Sequence, residues 1–496
     1  MNPALRRTAI VCIVLFAALF IQVNRVQFFE AYVQEDDSWC NIKSEDFDRM
    51  RGSILAGEEP IAVFEESENE AGSRYYRDYP QGEYFGNVTG YASISYGANH
   101  LECAASEYLD GSADLFLSDK ILASLKGGEQ TYGNVLTSID PEAQRTAYDA
   151  IAEVADEGSA VAIEPSTGRI LAQVSVPGWD PGLVSSLDTE AAGAEYDRLN
   201  GLESNPMLDH AINEFAPPGS TFKTVVAAAY IEKGLGDADS MVPAGNRYEP
   251  PGAGQPITNA ADQCAESELP LKEAFARSCN TTFSQICNEE LSPRDIADMA
   301  AELGFEEKFS TPISSLWAST TGGVEKLEDK GIRAQACIGQ NTVSASTLQN
   351  AVIASTVAND GIRMDPRMLD TITNAENETI HRFDDEKAGR AFSSDTADEL
   401  KKIMEEVVTG ANGTGSNAYV DGFTTGGKTG TAEHTDKKGD PLPDHGWFIG
   451  WGGSDSDSPD VAVAVFLPEY GQGGSSNATA IAGKIMSQVL NNPSEA

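Results

Sequence analysis

Ser220 and Lys223 stand three residues apart in the segment FAPPGSTFKTV, and their types could do chemistry together. A serine hydroxyl is a weak nucleophile, and a neutral lysine can take its proton. At positions i and i+3 of a helix the two side chains share one face. The apolar run TVVAAAYI that follows predicts a buried helix, and burial lowers the pKa of a lysine. A serine after a Pro-Gly turn is also a common helix start, so this segment alone favours a cap.

Two further segments carry side chains of the same kind. FARSCNTTF offers Ser278 and Asn280, 58 and 60 residues after Ser220. TTGGKTGTAEHT offers four residues in a row, namely Lys428, Thr429, Gly430 and Thr431. Each segment alone occurs in many proteins by chance. Together, in the order Ser-x-x-Lys, Ser-x-Asn and Lys-Thr-Gly, they predict one catalytic site.

The third segment would serve the substrate. If it forms a strand, the backbone N–H of Thr431 can oppose that of Ser220. Two such donors make an oxyanion hole, in which each is typically worth about 3–4 kcal/mol. Lys428, with Thr429 and Thr431, suits a terminal carboxylate, and Gly430 lets a peptide backbone approach closely. A helix start at Ser220 would also favour negative charge there.

The composition excludes several kinds of function. A chain of 496 residues is too long for one ordinary core, so two or more domains are expected. With 34 Lys and Arg against 77 Asp and Glu, the net charge is −43, which excludes nucleic acid as a partner. Five scattered histidines and the lack of a Cys-x-x-Cys or His/Cys cluster argue against a metal site. We expect neither a metal nor a cofactor.

The N-terminus predicts a membrane anchor. Two arginines precede an apolar run from Thr8 to Val23, and no small-x-small cleavage site follows that run. We therefore predict a cytoplasmic tail at 1–7 and a transmembrane signal anchor at 8–26. The rest of this single-pass chain would lie outside the cell membrane, in an oxidising space where the six later cysteines can form disulfides.

Beyond the anchor the sequence divides into two regions. Residues 27–135 alternate short apolar pieces with turn residues, which predicts a separate module of strands and loops. Residues 136–496 begin and end with strand patterns, so strands from both ends could share one sheet with helices packed on it. GSAVAIEPSTGRILAQVSV predicts a hairpin at the start of this region. Helices are predicted at 221–234, 270–290, 293–304, 344–358, 396–408 and 478–491.

Several longer segments resemble class B penicillin-binding proteins. RGSILAGEEPIA resembles the start of their N-terminal module, and GSAVAIEPSTGRILAQVSVPGWDP resembles the opening hairpin of their catalytic domain. GQNTVSASTLQNAVIASTVANDG is similar to the stretch between the second and third motifs, and HGWFIGW to the exit from the third. The resemblance extends over residues 50–490 and is strongest to the short actinobacterial penicillin-binding protein A group.

The resemblance implies an α+β fold. The transpeptidase domain of this family has an antiparallel sheet with helices on both faces and an all-helical subdomain. An elongated N-terminal module, a pedestal of the dimerisation type, would precede it at 27–135. Class B members of this family have no glycosyltransferase domain and need no cofactor.

The resemblance also implies a D,D-transpeptidase that cross-links peptidoglycan. Ser220 would attack a stem peptide ending in D-Ala-D-Ala, and an amine of a neighbouring stem would accept the acyl group. Lys223 is then the general base, Ser278 relays protons and Asn280 holds the substrate amide. β-Lactam antibiotics would acylate Ser220, and the other expected partners are the membrane and the cell-division machinery, with roles in cell-wall synthesis and cell shape.

Related functions share these residues. A D,D-carboxypeptidase uses all of them, with water replacing the acceptor amine, and only the N-terminal module and the class B likeness disfavour it. A β-lactamase would be smaller and needs a deacylating base that we cannot place. A bifunctional class A enzyme needs a glycosyltransferase domain, for which residues 28–135 are too few. A non-catalytic β-lactam sensor or division scaffold would carry an output domain or lack a motif residue.

Cys279 stands in the middle motif, where the family often has Asp. A Cys264–Cys279 disulfide would clamp the loop of that motif, and a free buried thiol is an equal alternative. The polar stretch HTDKKGDPLPDH predicts an exposed hairpin loop beside the cleft. We interpret its His434 and His445 as structural or solvent-facing.

Overall fold

A computed structural model describes residues 39–492, apart from 41, 43, 68–74, 118–119, 121–130, 253–254, 261, 310, 314 and 437. The predicted anchor at 8–26 lies outside the described residues. Within the described ranges, no helix is both long enough and apolar enough to span a bilayer.

The N-terminal part combines short strands with short helices. The strands are β1 Trp39–Cys40, β2 Ile54–Ala56, β3 Glu59–Glu66, β4 Tyr75–Asp78, β5 Ala92–Ser93, β6 Gly97–Asn99 and β7 Gly133–Thr137. The helices are α1 Gly82–Thr89, α2 His100–Ala104 and α3 Ser106–Leu109, which the prediction of strands and loops missed.

The larger C-terminal part is a mixture of helices and strands. Its strands are β8 Gly158–Ile163, β9 Ile170–Val176, β10 Met241–Pro243, β11 Arg247–Tyr248, β12 Ile257–Thr258, β13 Glu268–Pro270, β14 Ile362–Met364, β15 Leu369–Asn374, β16 Thr379–Arg382, β17 Lys387–Arg390, β18 Thr424–Ala432, β19 His445–Gly453 and β20 Val461–Leu467. Its helices are α4 Pro141–Ala152, α5 Pro181–Val184, α6 Thr189–Asn200, α7 His210–Asn213, α8 Lys223–Glu232, α9 Leu271–Ala276, α10 Asn280–Glu289, α11 Pro293–Glu302, α12 Val324–Leu327, α13 Lys330–Ala336, α14 Thr347–Ala358, α15 Ser394–Thr409 and α16 Gly474–Asn491.

A five-stranded antiparallel sheet forms the centre, in the order β18-β19-β20-β8-β9. Strands from both ends of the C-terminal part share it, as predicted, and the β8–β9 hairpin is confirmed. Helices α4 and α16 pack on one face, and α14 and α15 pack on the other. Strand β18 lies at the edge of this sheet, so one side of its backbone is open to other partners.

The residue pattern of β20 explains why both faces are covered. Val461, Val463 and Val465 are fully buried in one apolar cluster with residues of α4 and α16. Ala462 and Ala464 are fully buried in the other cluster, which contains residues of α14. Because side chains alternate along a strand, this continuously apolar sequence can serve two helical layers.

A second sheet joins the two parts of the chain. Its order is β16-β15-β7-β2-β3-β4, in which β2 and β7 are parallel and the other neighbours are antiparallel. Strand β7 therefore pairs with β15, which lies more than 200 residues later in the chain. The N-terminal part therefore shares backbone hydrogen bonds with the C-terminal part.

The helix predicted at 270–290 was wrong as a single element, because the chain breaks between α9 and α10. Ser278 adopts a positive φ of 61°, and the Cys279 N–H donates back to Ala274 O at 2.9 Å. This geometry ends α9 at Ala276 and starts α10 at Asn280. The break places Ser278 and Cys279 in a loop and Asn280 at the first position of α10.

Candidate active site

The Ser220 turn lies directly against the edge strand β18. A short 3₁₀ turn, Gly219–Phe222, carries the partly exposed Ser220 and leads into α8. Gly219 has φ of 55°, and a Cβ added there would lie 2.3 Å from Thr431 O and 3.2 Å from Thr431 N. Gly430 is also closely packed, since a Cβ there would lie 2.8 Å from Pro218 O. The backbone of Thr431 therefore lies close to the Ser220 turn, and an oxyanion hole made by the N–H groups of Ser220 and Thr431 stays a prediction.

Lys223 begins α8, is fully buried, and contacts the second motif. Its Nζ donates to Ser278 O at 2.7 Å, to Asn280 Oδ1 at 2.7 Å and to Ser278 Oγ at 3.3 Å. The hydrogen bonds of the described residues do not include one between Lys223 and the Ser220 hydroxyl. The direct Ser–Lys pairing that the spacing indicates stays a prediction.

Lys428 also contacts Ser278. It is fully buried in β18, and its Nζ donates to Ser278 Oγ at 2.9 Å and to Thr429 O at 3.1 Å. The Ser278 hydroxyl therefore contacts both lysine nitrogens, Lys223 and Lys428. A hydroxyl that both accepts and donates can pass a proton along such a chain.

Burial sets the charge of both lysines. It lowers the pKa of Lys223 well below the usual lysine range, and the nearby Lys428 lowers this pKa further. Burial also lowers the pKa of Lys428 to about 7. The Lys223 Nζ lies 5.7 Å from the ring centre of Phe283, and the Lys428 Nζ lies 5.4 Å from that of Phe275. Among the described ion pairs, none involves either lysine, so aromatic faces and neutral oxygens are their surroundings.

Thr429 and Thr431 differ in their contacts. The Thr429 hydroxyl lies 2.7 Å from the hydroxyl of Thr414, which in turn donates to Ala276 O at 3.2 Å. This chain ties β18 to the end of α9, just before Ser278. Thr431 is exposed at the mouth of the site. Thr414 carried no signal in the sequence, because a threonine in a polar loop is common.

Asn259 is a second residue that the sequence did not reveal. Its Oδ1 accepts from the Asn280 N–H at 2.7 Å and from the Thr281 N–H at 3.1 Å, so it caps α10 from 21 residues upstream. Its Nδ2 donates to Gly245 O at 2.8 Å. The Nδ2 of Asn280 donates to Thr258 O at 3.0 Å. The segment around β12 thus fixes both the main chain and the side chain of Asn280.

Disulfides reinforce this support. Cys264 is bonded to Cys279, which settles the open alternative in favour of the clamp on the second motif. Cys287 of α10 is bonded to Cys337 after α13, and Cys40 is bonded to Cys103 in the N-terminal part. The six described cysteines are therefore all paired.

The hairpin loop between β18 and β19 forms as predicted, and its two histidines stack on each other. The rings of His434 and His445 lie 3.9 Å apart. His434 Nε2 lies 2.9 Å from Pro443 O, and His445 Nδ1 accepts from the Glu469 N–H at 3.0 Å. No group of three or more His, Cys, Asp or Glu side chains in the described part of the chain is arranged to hold a metal ion.

Comparison with known protein families identifies the family to which this chain belongs. The family described as "Penicillin binding protein transpeptidase domain" matches residues 158–487, which contain all three motifs. The chain belongs to the penicillin-binding transpeptidases. A second family, "Penicillin binding protein A dimerisation domain", matches residues 51–135. The boundaries at 27–135 and 136–496 stay predictions, with these matches inside them.

Two relatives that align with this penicillin-binding transpeptidase over nearly their full length carry the same name. The chain is 32% identical to the peptidoglycan D,D-transpeptidase PbpA of Mycolicibacterium smegmatis, over 98% of this chain and 97% of that protein. It is 31% identical to the protein of the same name from Mycobacterium tuberculosis, over 94% of each.

Solved structures agree with the fold. The ceftriaxone acyl-enzyme complex of penicillin-binding protein A from M. tuberculosis has a TM-score of 0.84 at 30% identity. It covers 90% of this chain and 100% of its own. The penicillin G acyl-enzyme complex of the same protein has a TM-score of 0.79 at 31% identity. The α+β architecture with antiparallel sheets and an N-terminal module is therefore that of the family.

Proposed function

We propose that this chain is a monofunctional peptidoglycan D,D-transpeptidase that works through an acyl-enzyme on Ser220. The observation that carries the proposal is the buried cluster of Lys223, Ser278 and Lys428 beside the Ser220 turn. Its electrostatics favour a neutral amine at Lys223, which is what activation of a serine hydroxyl requires.

In the first step, the Ser220 hydroxyl attacks the carbonyl carbon between the two terminal D-Ala residues of a stem peptide. Lys223 takes the hydroxyl proton as general base. The developing oxyanion receives the backbone N–H groups of Ser220 and Thr431, and the close contact of Gly219 with Thr431 supports that position. The C–N bond then breaks, the proton passes through Ser278 to the leaving amine, and D-Ala departs.

The donor is held by its carboxylate and its backbone. Lys428, in its charged form, attracts the terminal carboxylate together with the hydroxyls of Thr429 and Thr431. Gly430 lets β18 lie close to the Ser220 turn, since a Cβ there would meet Pro218 O and Thr221. Asn280 offers the second hydrogen of Nδ2 to a donor carbonyl, since the first is engaged by Thr258 O.

In the second step, an amine of a neighbouring stem peptide attacks the acyl-enzyme. The ester bond to Ser220 breaks, and the amine proton returns through the same groups to the Ser220 oxygen. The new amide bond cross-links the two stem peptides. Water in place of that amine would give D,D-carboxypeptidase activity. β-Lactams would acylate Ser220 in the same way as the donor does, as they do in the relatives solved as acyl-enzyme complexes.

This function requires the catalytic part to lie outside the cell membrane. An anchor at 8–26 would hold the catalytic part outside the cell membrane, where its substrate is assembled. The three disulfides of the described residues support an oxidising compartment. A link to the division machinery follows from the same resemblance and is part of this proposal. The reaction needs neither a metal nor a cofactor.

A fluorescent penicillin tests the nucleophile. The wild-type protein should be labelled covalently, Ser220→Ala should not, and Ser454→Ala, which changes an exposed serine far along the chain, should label normally. Labelling of Ser220→Ala at the wild-type rate would refute the assignment.

A thioester donor ending in D-Ala, offered with a D-amino acid acceptor, tests the reaction type. Formation of the exchanged peptide supports transpeptidation. Release of the free acid alone would show a carboxypeptidase.

A further inference from the structure

Gln340 faces the open edge of β18 immediately beyond the proposed donor site. In the orientation that satisfies both ends of its side-chain amide, Oε1 accepts from the Glu433 N–H at 3.0 Å and Nε2 donates to Glu433 O at 3.1 Å. These two bonds are the pair that a residue of an added antiparallel strand would exchange with Glu433. One side chain thus takes the place of a peptide group at this edge.

The main chain at Thr431 and Glu433 faces the same side. Both N and O of Thr431 lie against the Ser220 turn, as the Cβ positions built on Gly219 demonstrate. In a strand, groups two residues apart point in the same direction, so Glu433 continues the edge on which Thr431 lies. Along that edge, Thr431 is available to a substrate and Glu433 is occupied by Gln340.

The Gln340 side chain is held in place by the loop that carries it. The Gly219 N–H donates to Gly339 O at 3.0 Å, and a Cβ on Gly339 would lie 1.9 Å from Gly219 O. The Gln340 N–H donates to Gln335 O at 3.0 Å. The loop is therefore packed onto the Ser220 turn, and Gln340 spans from it to the end of β18.

We infer that Gln340 limits strand pairing of the donor peptide to the residue that is acylated. This inference rests on the proposed function, which puts the reacting carbonyl at Thr431 and the terminal carboxylate toward Lys428. A donor in this direction runs antiparallel to β18, and its residue two positions before the acylated one comes opposite Glu433. Gln340 already uses both main-chain groups there. The earlier part of the donor must leave the sheet edge, so its backbone does not pair with the main chain at Glu433.

Two thioester donors test this role. The short donor is N-acetyl-D-Ala thioester, and the long donor carries two further α-linked residues before the same D-Ala. In Gln340→Ala, the freed groups of Glu433 should pair with the long donor only. The ratio of kcat/KM for the long donor to that for the short donor should rise about fivefold, the size of one net hydrogen bond.

Two further variants separate edge binding from loop support. Gln335→Ala loosens the same loop, because Gln335 Oε1 accepts from Asn341 Nδ2, and it leaves the Glu433 contacts in place. Gln340→Met keeps the side-chain length and removes the hydrogen bonds, so it gives a folded alternative if the alanine variant is unstable. The inference holds if the ratio rises in a Gln340 variant and not in Gln335→Ala.

An unchanged ratio, or an equal rise in Gln335→Ala, overturns the inference. Equal losses with both donors would make Gln340 a support of β18 only and also overturn it. These results are distinct from a failure of the proposed function, in which the wild-type protein would process neither donor and bind no fluorescent penicillin.

Discussion

Replacement of Gly219 by Ala should separate the Ser220 turn from β18. The added Cβ would lie 2.3 Å from Thr431 O, whereas ordinary contact begins at 3.4 Å, so turn and strand must move apart by about 1 Å. That movement would open the proposed oxyanion hole on the side of the Thr431 N–H. Because a displacement of this size can cost about 100-fold in rate, penicillin acylation should slow by about 100-fold or more.

Gly234→Ala is the matched control for this prediction. Gly234 follows the other end of α8 with a similar φ of 69°, and nothing lies within 4 Å of a Cβ built there. Both alanines are in the left-handed region, at a cost of about 1 kcal/mol each, and only the one at Gly219 meets β18. The assay is the second-order rate constant for labelling by fluorescent penicillin, with circular dichroism to confirm folding. A folded Gly219→Ala protein that labels as fast as Gly234→Ala would refute the reasoning.

Three more predictions concern the lysines and their support. Lys223→Arg should fold and should label at least about 100-fold more slowly, since arginine stays protonated. The control Lys233→Arg, on the surface, should label normally. Near-normal labelling of Lys223→Arg would exclude Lys223 as the base. The Lys428 ammonium is charged below its pKa of about 7 and neutral above it, so acylation by a β-lactam carboxylate should decline as pH rises through 7, and the methyl ester of that β-lactam should lack the decline. A decline shared by the ester would contradict this role. Asn259→Ala should lower the free energy of unfolding by about 1–2 kcal/mol in urea titrations and also slow labelling, because the cap on α10 is lost. Asn259→Asp, which keeps the accepting oxygen, should retain most of both; equal losses in the two variants would argue against the cap.

Local sequence patterns were sufficient to predict the elements whose structure is determined by residues close in sequence. The hairpin of β8 and β9 was predicted from its turn residues and apolar strands. The buried character of α8 followed from its apolar composition, because helices without a polar face are enclosed on all sides. The order of the three motifs was then sufficient to predict that Lys223, Ser278 and Lys428 lie in one cluster.

The features that the sequence did not predict are determined by tertiary contacts. The break between α9 and α10 is absent from the apolar pattern, which continues through Ala274 and Phe275 toward Phe283. It is held by a cap from Asn259 and by the bond to Cys264, both of which come from a distant loop. The Gln340 contact with Glu433 joins residues 93 positions apart, and no local rule places an amide at a strand edge.

The pairing of β7 with β15 has a mechanical consequence. A chain begun at residue 136 would lose most of β7 and leave β15 with an unpaired edge, a surface prone to aggregation. The Asn134 Nδ2 donation to Asn377 Oδ1 at 3.0 Å would be lost with it. In the intact protein, a pull on the N-terminal part is borne by this ladder in shear and reaches the catalytic part without a flexible joint at residue 136. The position of the catalytic part relative to the N-terminal part is then set by a continuous sheet.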